Sequence, residues 1–315
     1  MSHESSASTR SDPGILARVS AGGRSAAGRL PAPLIFVASS LSQYLGAGLA
    51  VSLFSLMPSM TVAWGRLVVG AAVLVALRRP WRRAWTRRTL LVATAFGVAT
   101  ATMNVIFYAA ISLLPLGTTV SLEFLGPVVV ALVTGRGWRP RVAAILALLG
   151  VASISGLGVN LGDPDQRIGV LLALGAGVAW AAYILLGRRV ASDGAGTDSL
   201  AVGMVAGALV YAPLVGTADT ILASPTAAVT VLGVGVLSTA VPYGLEQVVL
   251  RRLGTDAFAL LSSLMPAASL LVGVVVLRQL PNAWEMTGLV LVSVAVALTA
   301  GTSGRVPFPP NRARA

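Results

Sequence analysis

The sequence predicts an all-α integral membrane protein, with ten transmembrane helices arranged as two inverted five-helix repeats. Three observations predict it. Of the 315 residues, 56% are hydrophobic and 11% charged, whereas soluble domains carry about 25% charged residues. A chain of this size with so little charge does not show most of its surface to water. Apolar runs of about 20 residues recur from Pro33 almost to the end of the chain, long enough to cross about 30 Å of hydrocarbon. The second half of the chain also echoes the first.

In order, the runs fall at 33–54, 60–77, 89–111, 116–134, 142–160, 169–187, 199–216, 228–249, 257–277 and 285–301. Helix is required, because lipid cannot satisfy an open strand edge and the runs exceed the length of a barrel strand. Residues 1–32, rich in Ser, Ala, Gly and Arg, read as a disordered cytoplasmic tail, and 302–315 as a second cytoplasmic tail. The first segment is too long and polar for a signal-peptide n-region, and the run after it too long for an h-region. That run therefore reads as the first helix.

The arginines orient the helices. The 23 basic residues include no Lys, and the net charge is +12. Arg78, Arg79, Arg82, Arg83, Arg87 and Arg88 follow the second run; Arg136, Arg139 and Arg141 the fourth; Arg188 and Arg189 the sixth; Arg251 and Arg252 the eighth. With ten spans, all these segments and both tails lie on one side. The opposite loops hold Arg167 and Arg278 beside Asp163, Asp165, Asp219 and Glu285. The positive-inside rule then places both termini in the cytoplasm, and explains the basic charge without nucleic acid.

The internal echo divides the chain into a first repeat, 33–160, and a second, 161–301. AWGRLVVGAAVL (63–74) resembles AVGMVAGALV (201–210), and LLPLGTT (113–119) resembles LRRLGTD (250–256). Each member of the second pair precedes an apolar helix containing a proline, Pro127 or Pro266. Five helices is an odd number, so the second repeat must be inverted. Inverted repeats are a recurrent transporter architecture with the site at the midplane between them.

Several chemistries are excluded. There is no Cys, so no disulfide or thiolate site. The single His is His3, in the tail. Walker-type, HExxH and GxSxG motifs are missing, so an ATP motor, a metal centre and membrane hydrolase chemistry have no support. The chain reads as a non-enzyme without a cofactor.

Three ionisable residues fall inside apolar runs: Arg66, Glu123 and Glu246. Each costs about 2.5–3.5 kcal/mol at mid-helix, and such residues usually face the protein interior. Arg66 and Glu123 lie at matching depth, which predicts an ion pair that is either structural or functional. Glu246 lies closer to the cytoplasmic end, where a snorkelling role is the alternative. If Arg66 holds Glu123, Glu246 is the freer proton carrier. Gln43, Tyr44, Asn104, Tyr108, Trp180, Tyr183, Tyr243 and Gln247 supply further intramembrane polar groups, which need partners and together outline a candidate cavity. Individually, each is explained as well by interhelical hydrogen bonding or interface anchoring. Pro127, Pro242 and Pro266 free backbone carbonyls within helices. Gly203 and Gly207, like Ala173, Gly177 and Ala181, are spaced for close helix packing.

SSLSQYLGAGLAVSLF (39–54), ATMNVIFYAAISLLPLG (101–117), SLEFLGPVVVALV (121–133), GVAWAAYILLGRRV (177–190) and PYGLEQVVLRRL (242–253) resemble the EamA-type family of the drug/metabolite transporter superfamily, and within it the threonine/homoserine exporter branch. The resemblance covers 33–301. It implies ten helices in a 5+5 inverted repeat, the inner (plasma) membrane, and efflux of a small amino acid or related metabolite by proton exchange. The implied partners are a small-molecule substrate, protons and the lipid bilayer, and a homodimer is compatible with this organisation. Two departures stand out: the family's SLEP-like stretch reads SLMP here, with Met265 in place of the acid, and its GE pair before the last helix reads Arg278-Gln279. The alternatives are a multidrug or cation effluxer of the same superfamily and a non-transporting membrane assembly protein.

Overall fold

A computed structural model describes residues 30–154, 159–192, 196–215, 221, 224–242, 245–246, 249 and 261–299. Among the described residues there are helices and turns and no strand. The main helices are α1 (Ala32–Leu53), α2 (Ser59–Arg78), α3 (Arg87–Ile111), α4 (Leu116–Glu123), α5 (Leu125–Thr134), α6 (Arg139–Ser153), α7 (Pro164–Ser192), α8 (Gly196–Val210), α9 (Pro225–Gly235), α10 (Met265–Val275) and α11 (Ala283–Thr299). Helices α4 and α5 form one span, Leu116–Thr134, interrupted at Phe124. That span, α1, α2, α3 and residues Pro164–Gly187 of α7 are long and apolar enough to cross a membrane. The apolar segments Asp198–Val210, Pro225–Ala240, Met265–Val275 and Ala283–Thr299 are shorter. The fourth predicted run thus contains a break, and the sixth begins earlier than expected, at Pro164. Part of the ninth, with Arg251 and Arg252, lies outside the described residues.

Large apolar side chains face outward, and small hydroxyls lie within the core. Val133, Leu171 and Val178 are 69% to 78% exposed, whereas Ser39, Thr119, Ser121 and Ser269 are buried. An apolar exterior over a core that is itself mostly apolar, with hydroxyls carried inside it, suits a bilayer-embedded fold. Hydroxyls inside it bond back to their own helix, as Thr100 does to the Phe96 carbonyl at 2.8 Å and Ser121 to that of Gly117 at 2.8 Å.

Packing crosses between the halves of the chain. Helix α3 lies against α7 and α8; α9 lies against α1 and α2; α10 lies against α1 and α4; α6 lies against α11. Gly203, one of the small residues noted in the sequence, makes a close crossing with α3. A Cβ on Gly203 would stand 2.6 Å from the Gly97 Cα and 2.7 Å from the Ala93 carbonyl. Gly203→Ala is therefore expected to destabilise the protein by about 1–3 kcal/mol through overpacking, seen as a lower unfolding temperature in detergent. Gly233→Ala, where a Cβ meets nothing within 4 Å, should not do so. Equal behaviour of the two variants would refute this account of the crossing.

The segment before α11 holds α4 by its N-terminus. The Leu116 amide donates to Gln279 Oε1 at 3.0 Å. Thr118 Oγ1 donates to Glu285 Oε1 at 2.7 Å, while Glu285 Oε2 accepts from the Asn282 amide at 2.9 Å. Asn282 Oδ1 in turn accepts from the Glu285 amide, so Asn282 and Glu285 form a capping box. Glu285→Ala removes the box and strands the Thr118 hydroxyl. A loss of about 1–3 kcal/mol is expected, with Glu285→Gln intermediate, on the same unfolding assay. An unchanged unfolding temperature in Glu285→Ala would rule it out.

Candidate functional site

A cavity of about 190 Å³ lies among α1, α2, α3, α4, α7, the segment after α9 and the start of α10. Gln43, Tyr44, Arg66, Asn104, Glu123, Trp180, Tyr183 and Glu246 line it. Glu246, expected nearer the cytoplasmic end and free to snorkel, is thus brought to the same space as Glu123. Tyr108 is fully buried behind the wall, its ring centroid 5.4 Å from the Arg66 guanidinium carbon. Its hydroxyl has no hydrogen-bond partner among the described residues. Tyr243 and Gln247 lie outside the described residues.

Proline builds much of this wall. A proline has no N–H, so the carbonyl four residues earlier loses its helical partner. The residues four before Pro127, Pro242 and Pro266 are Glu123, Ser238 and Ser262, and all three line the cavity. After α9 the chain makes a π-helical turn, Val236–Ala240, a feature common at functional sites. Its loosened carbonyls find side-chain donors: Ser42 Oγ donates to the Leu237 carbonyl at 2.9 Å, and Arg66 Nη2 to that of Ser238 at 2.9 Å. Helix α7 approaches the Glu123 carbonyl at Gly177, where a Cβ would stand 2.8 Å from that oxygen.

The partners of Arg66 differ from those predicted. Its Nη1 donates to Asn104 Oδ1, and Asn104 is oriented in turn by donating from Nδ2 to the Thr100 carbonyl at 2.7 Å. The expected Arg66–Glu123 ion pair does not form. The ion pairs among the described residues are Arg78–Asp198 at 3.1 Å and Arg83–Asp198 at 3.8 Å. Matching depth sets the level of two residues in the membrane but not the helix face each occupies, and the guanidinium turns toward α3 and the π turn. Guanidinium N–H groups remain beyond the two engaged. Glu123 is 7% exposed and its carboxylate has no hydrogen-bond partner among the described residues. Glu246 Oε1 lies 3.3 Å from Ser39 Oγ, which is also 3.3 Å from the Pro242 carbonyl and can donate to either.

Aromatic contacts brace the far side. Phe124 meets Trp180 edge-on with centroids 4.7 Å apart, and Phe96 stacks on Tyr183 at 4.8 Å. The sequence reading missed Ala47, Met103, Phe107, Ser238 and Ser262 as lining residues. A signal existed for four of them. Ser238 and Ser262 precede prolines by four residues, and Met103 and Phe107 share one helical face with Asn104.

Residues 167–301 match the EamA-like transporter family. Over 86% of its length the chain is 35% identical to the threonine/homoserine exporter RhtA of Salmonella typhimurium, covering 90% of that protein. It is 38% identical to the threonine/homoserine exporter RhtA of Escherichia coli strain K12, over 79% of this chain and 84% of that one. A protein of known crystal structure shares the fold at a TM-score of 0.54 and 23% identity, over 85% of this chain and 95% of its own.

Proposed function

We propose, from the premise that this chain belongs to the EamA-like transporter family, that it is a secondary transporter of the inner membrane exporting a small amino acid or related metabolite in exchange for protons. One observation carries the reading. A guanidinium with donors to spare and a carboxylate with no hydrogen-bond partner among the described residues line one small cavity within an apolar fold. Each ion is costly in lipid, and a zwitterion offers both the groups they lack: its carboxylate for Arg66, its ammonium for Glu123. The bidentate fork of Arg suits a carboxylate.

The same observation weighs against the other readings. A cation effluxer has no use for Arg66 on the wall, and drug-sized ligands need pockets of about 300 Å³ or more, against 190 Å³ here. A purely structural protein would leave Glu123 without a reason. The curated relatives are named exporters of threonine and homoserine, both zwitterions.

The ten-span inverted arrangement, with repeats at 33–160 and 161–301, is supported by the packing. Exchanging the first five spans for the second five maps the contacts of α3 with α7 and α8 onto those of α9 with α1 and α2, and leaves the α6–α11 contact in place. Cytoplasmic termini follow from the Arg alternation. Proton exchange rests on Glu123 and Glu246, the carboxylates on the cavity wall. One of them takes up a proton when the substrate's ammonium leaves, so that the site never returns empty with a bare charge.

The test is counterflow and net flux in liposomes with the purified chain, against an amino-acid panel and a panel of cationic drugs, with and without a pH difference. Accumulation of an amino acid that collapses with the pH difference supports the reading. Drug flux without amino-acid flux would transfer it to the multidrug alternative, and no flux of either kind to the assembly alternative.

A further inference from the structure

The charges on the cavity wall do not balance. Among the described residues that line it, Arg66 is a cation, and Glu123 and Glu246 are carboxylates. The other polar lining groups are amides and hydroxyls. A substrate with one carboxylate and one ammonium matches Arg66 and Glu123 and leaves Glu246 over. The protein does little for Glu246. Its hydrogen bond among the described residues comes from the Ser39 hydroxyl, which lies 3.3 Å from Oε1 and as far from the Pro242 carbonyl.

Helix α1 gives the spacing of the charged groups. Ser39 meets Glu246, and four residues on, the Gln43 carbonyl accepts from Ser238 Oγ at 3.2 Å. The Ser238 carbonyl in turn holds Arg66 Nη2. Ser39 and Gln43 belong to one continuous helix, so they are about 6 Å apart along its axis. The Glu246 end of the cavity is therefore offset from the Arg66 end by about one helical turn. Tyr44, the residue after Gln43, lies within Coulombic reach of both carboxylates, and Arg66 within reach of Glu123. An offset of about 6 Å is what roughly five bonds of an extended carbon chain span. In ornithine five bonds separate the carboxyl carbon from the terminal nitrogen, and in lysine six.

We propose that Glu246 determines specificity: the site takes diamino acids of the length of ornithine and lysine, with the carboxylate on Arg66, the α-ammonium on Glu123 and the terminal ammonium on Glu246. This rests on the amino-acid export reading above and narrows it. The fold already bears the cost of holding Glu246 away from water, so an ammonium that reaches it gains a partner whose desolvation is complete. A monoamino acid fills the same places only with a proton on Glu246.

The experiment is competition counterflow in liposomes bearing the full chain, without a pH difference, with ornithine, lysine, norvaline, norleucine and Nε-acetyllysine as competitors. Norvaline and norleucine have the carbon chains of ornithine and lysine without the terminal amine. In the native protein each diamino acid should outcompete its monoamino counterpart by about 10- to 100-fold, the factor of one charge-assisted hydrogen bond. Nε-acetyllysine, which keeps the length and loses the charge, should fall to the level of norleucine or below. Glu246→Gln should remove most of the preference. If Glu246→Gln fails to fold, lysine against norleucine and Nε-acetyllysine in the native protein still decides the matter. Diamino acids that rank level with or below their monoamino counterparts in the native protein would overturn the inference and leave amino-acid export standing. A full preference retained in folded Glu246→Gln would overturn the role of Glu246. Exchange of none of the five, with other metabolites moving, would overturn both the inference and the amino-acid reading beneath it.

Discussion

Glu123→Gln is expected to reduce amino-acid flux by about 10- to 100-fold while the protein still inserts, folds and purifies as before. The two halves of that expectation come from one fact: the Glu123 carboxylate makes no hydrogen bond to the protein among the described residues. Glutamine keeps the shape and breaks no contact of the side chain, so the fold loses little. The substrate loses a charge-assisted bond to its ammonium, worth about 1.5–3 kcal/mol, which is about 10- to 100-fold in affinity. Folding yield, unfolding temperature and initial flux rate should be measured together. Flux at the native level would remove Glu123 from the site. A collapse in folding yield with the remaining protein fully active would make it a structural residue.

Arg66→Met is expected to be more damaging, and in a different way. Arg66 bonds to Asn104 and to the Ser238 carbonyl that Pro242 leaves unpaired, and its guanidinium lies over the Tyr108 ring. Removing it strands a buried amide oxygen and a buried carbonyl, each at a cost of about 1–3 kcal/mol. It also takes away the only cation on the cavity wall among the described residues. Both stability and transport should fall, with transport lost almost completely. The structure further predicts which pair is coupled. In a double-mutant cycle on unfolding, Arg66→Met and Asn104→Leu should interact by about 0.5–3 kcal/mol, as direct partners do. Arg66→Met and Glu123→Gln should couple more weakly, through charge across the shared cavity alone, since they share no bond. Additivity for the first pair, or strong coupling for the second, would contradict the geometry described here.

These predictions also mark how far the chain could be read before its fold was known. Membrane class, the positions of the apolar runs, the internal echo and the intramembrane ions were all legible. The constraint behind them is local, because each segment in lipid must satisfy its own backbone and carry its own apolar surface. Arg66, Glu123 and Glu246 were found for the same reason, since an ion in an apolar run is conspicuous wherever it points. Partnership was not legible. The side chain of Arg66 reaches Asn104 and Ser238 because of how α2 packs against α3 and the π turn, at close approaches such as Gly70 on Thr239 and Gly235 on Val69. The break at Phe124, the convergence of Glu246 on Glu123 and the entry of Met265 into the cavity likewise depend on contacts between residues far apart in the chain. Depth in the membrane is a property of one helix, whereas the face a residue presents is set by several helices together, and a pairing needs both.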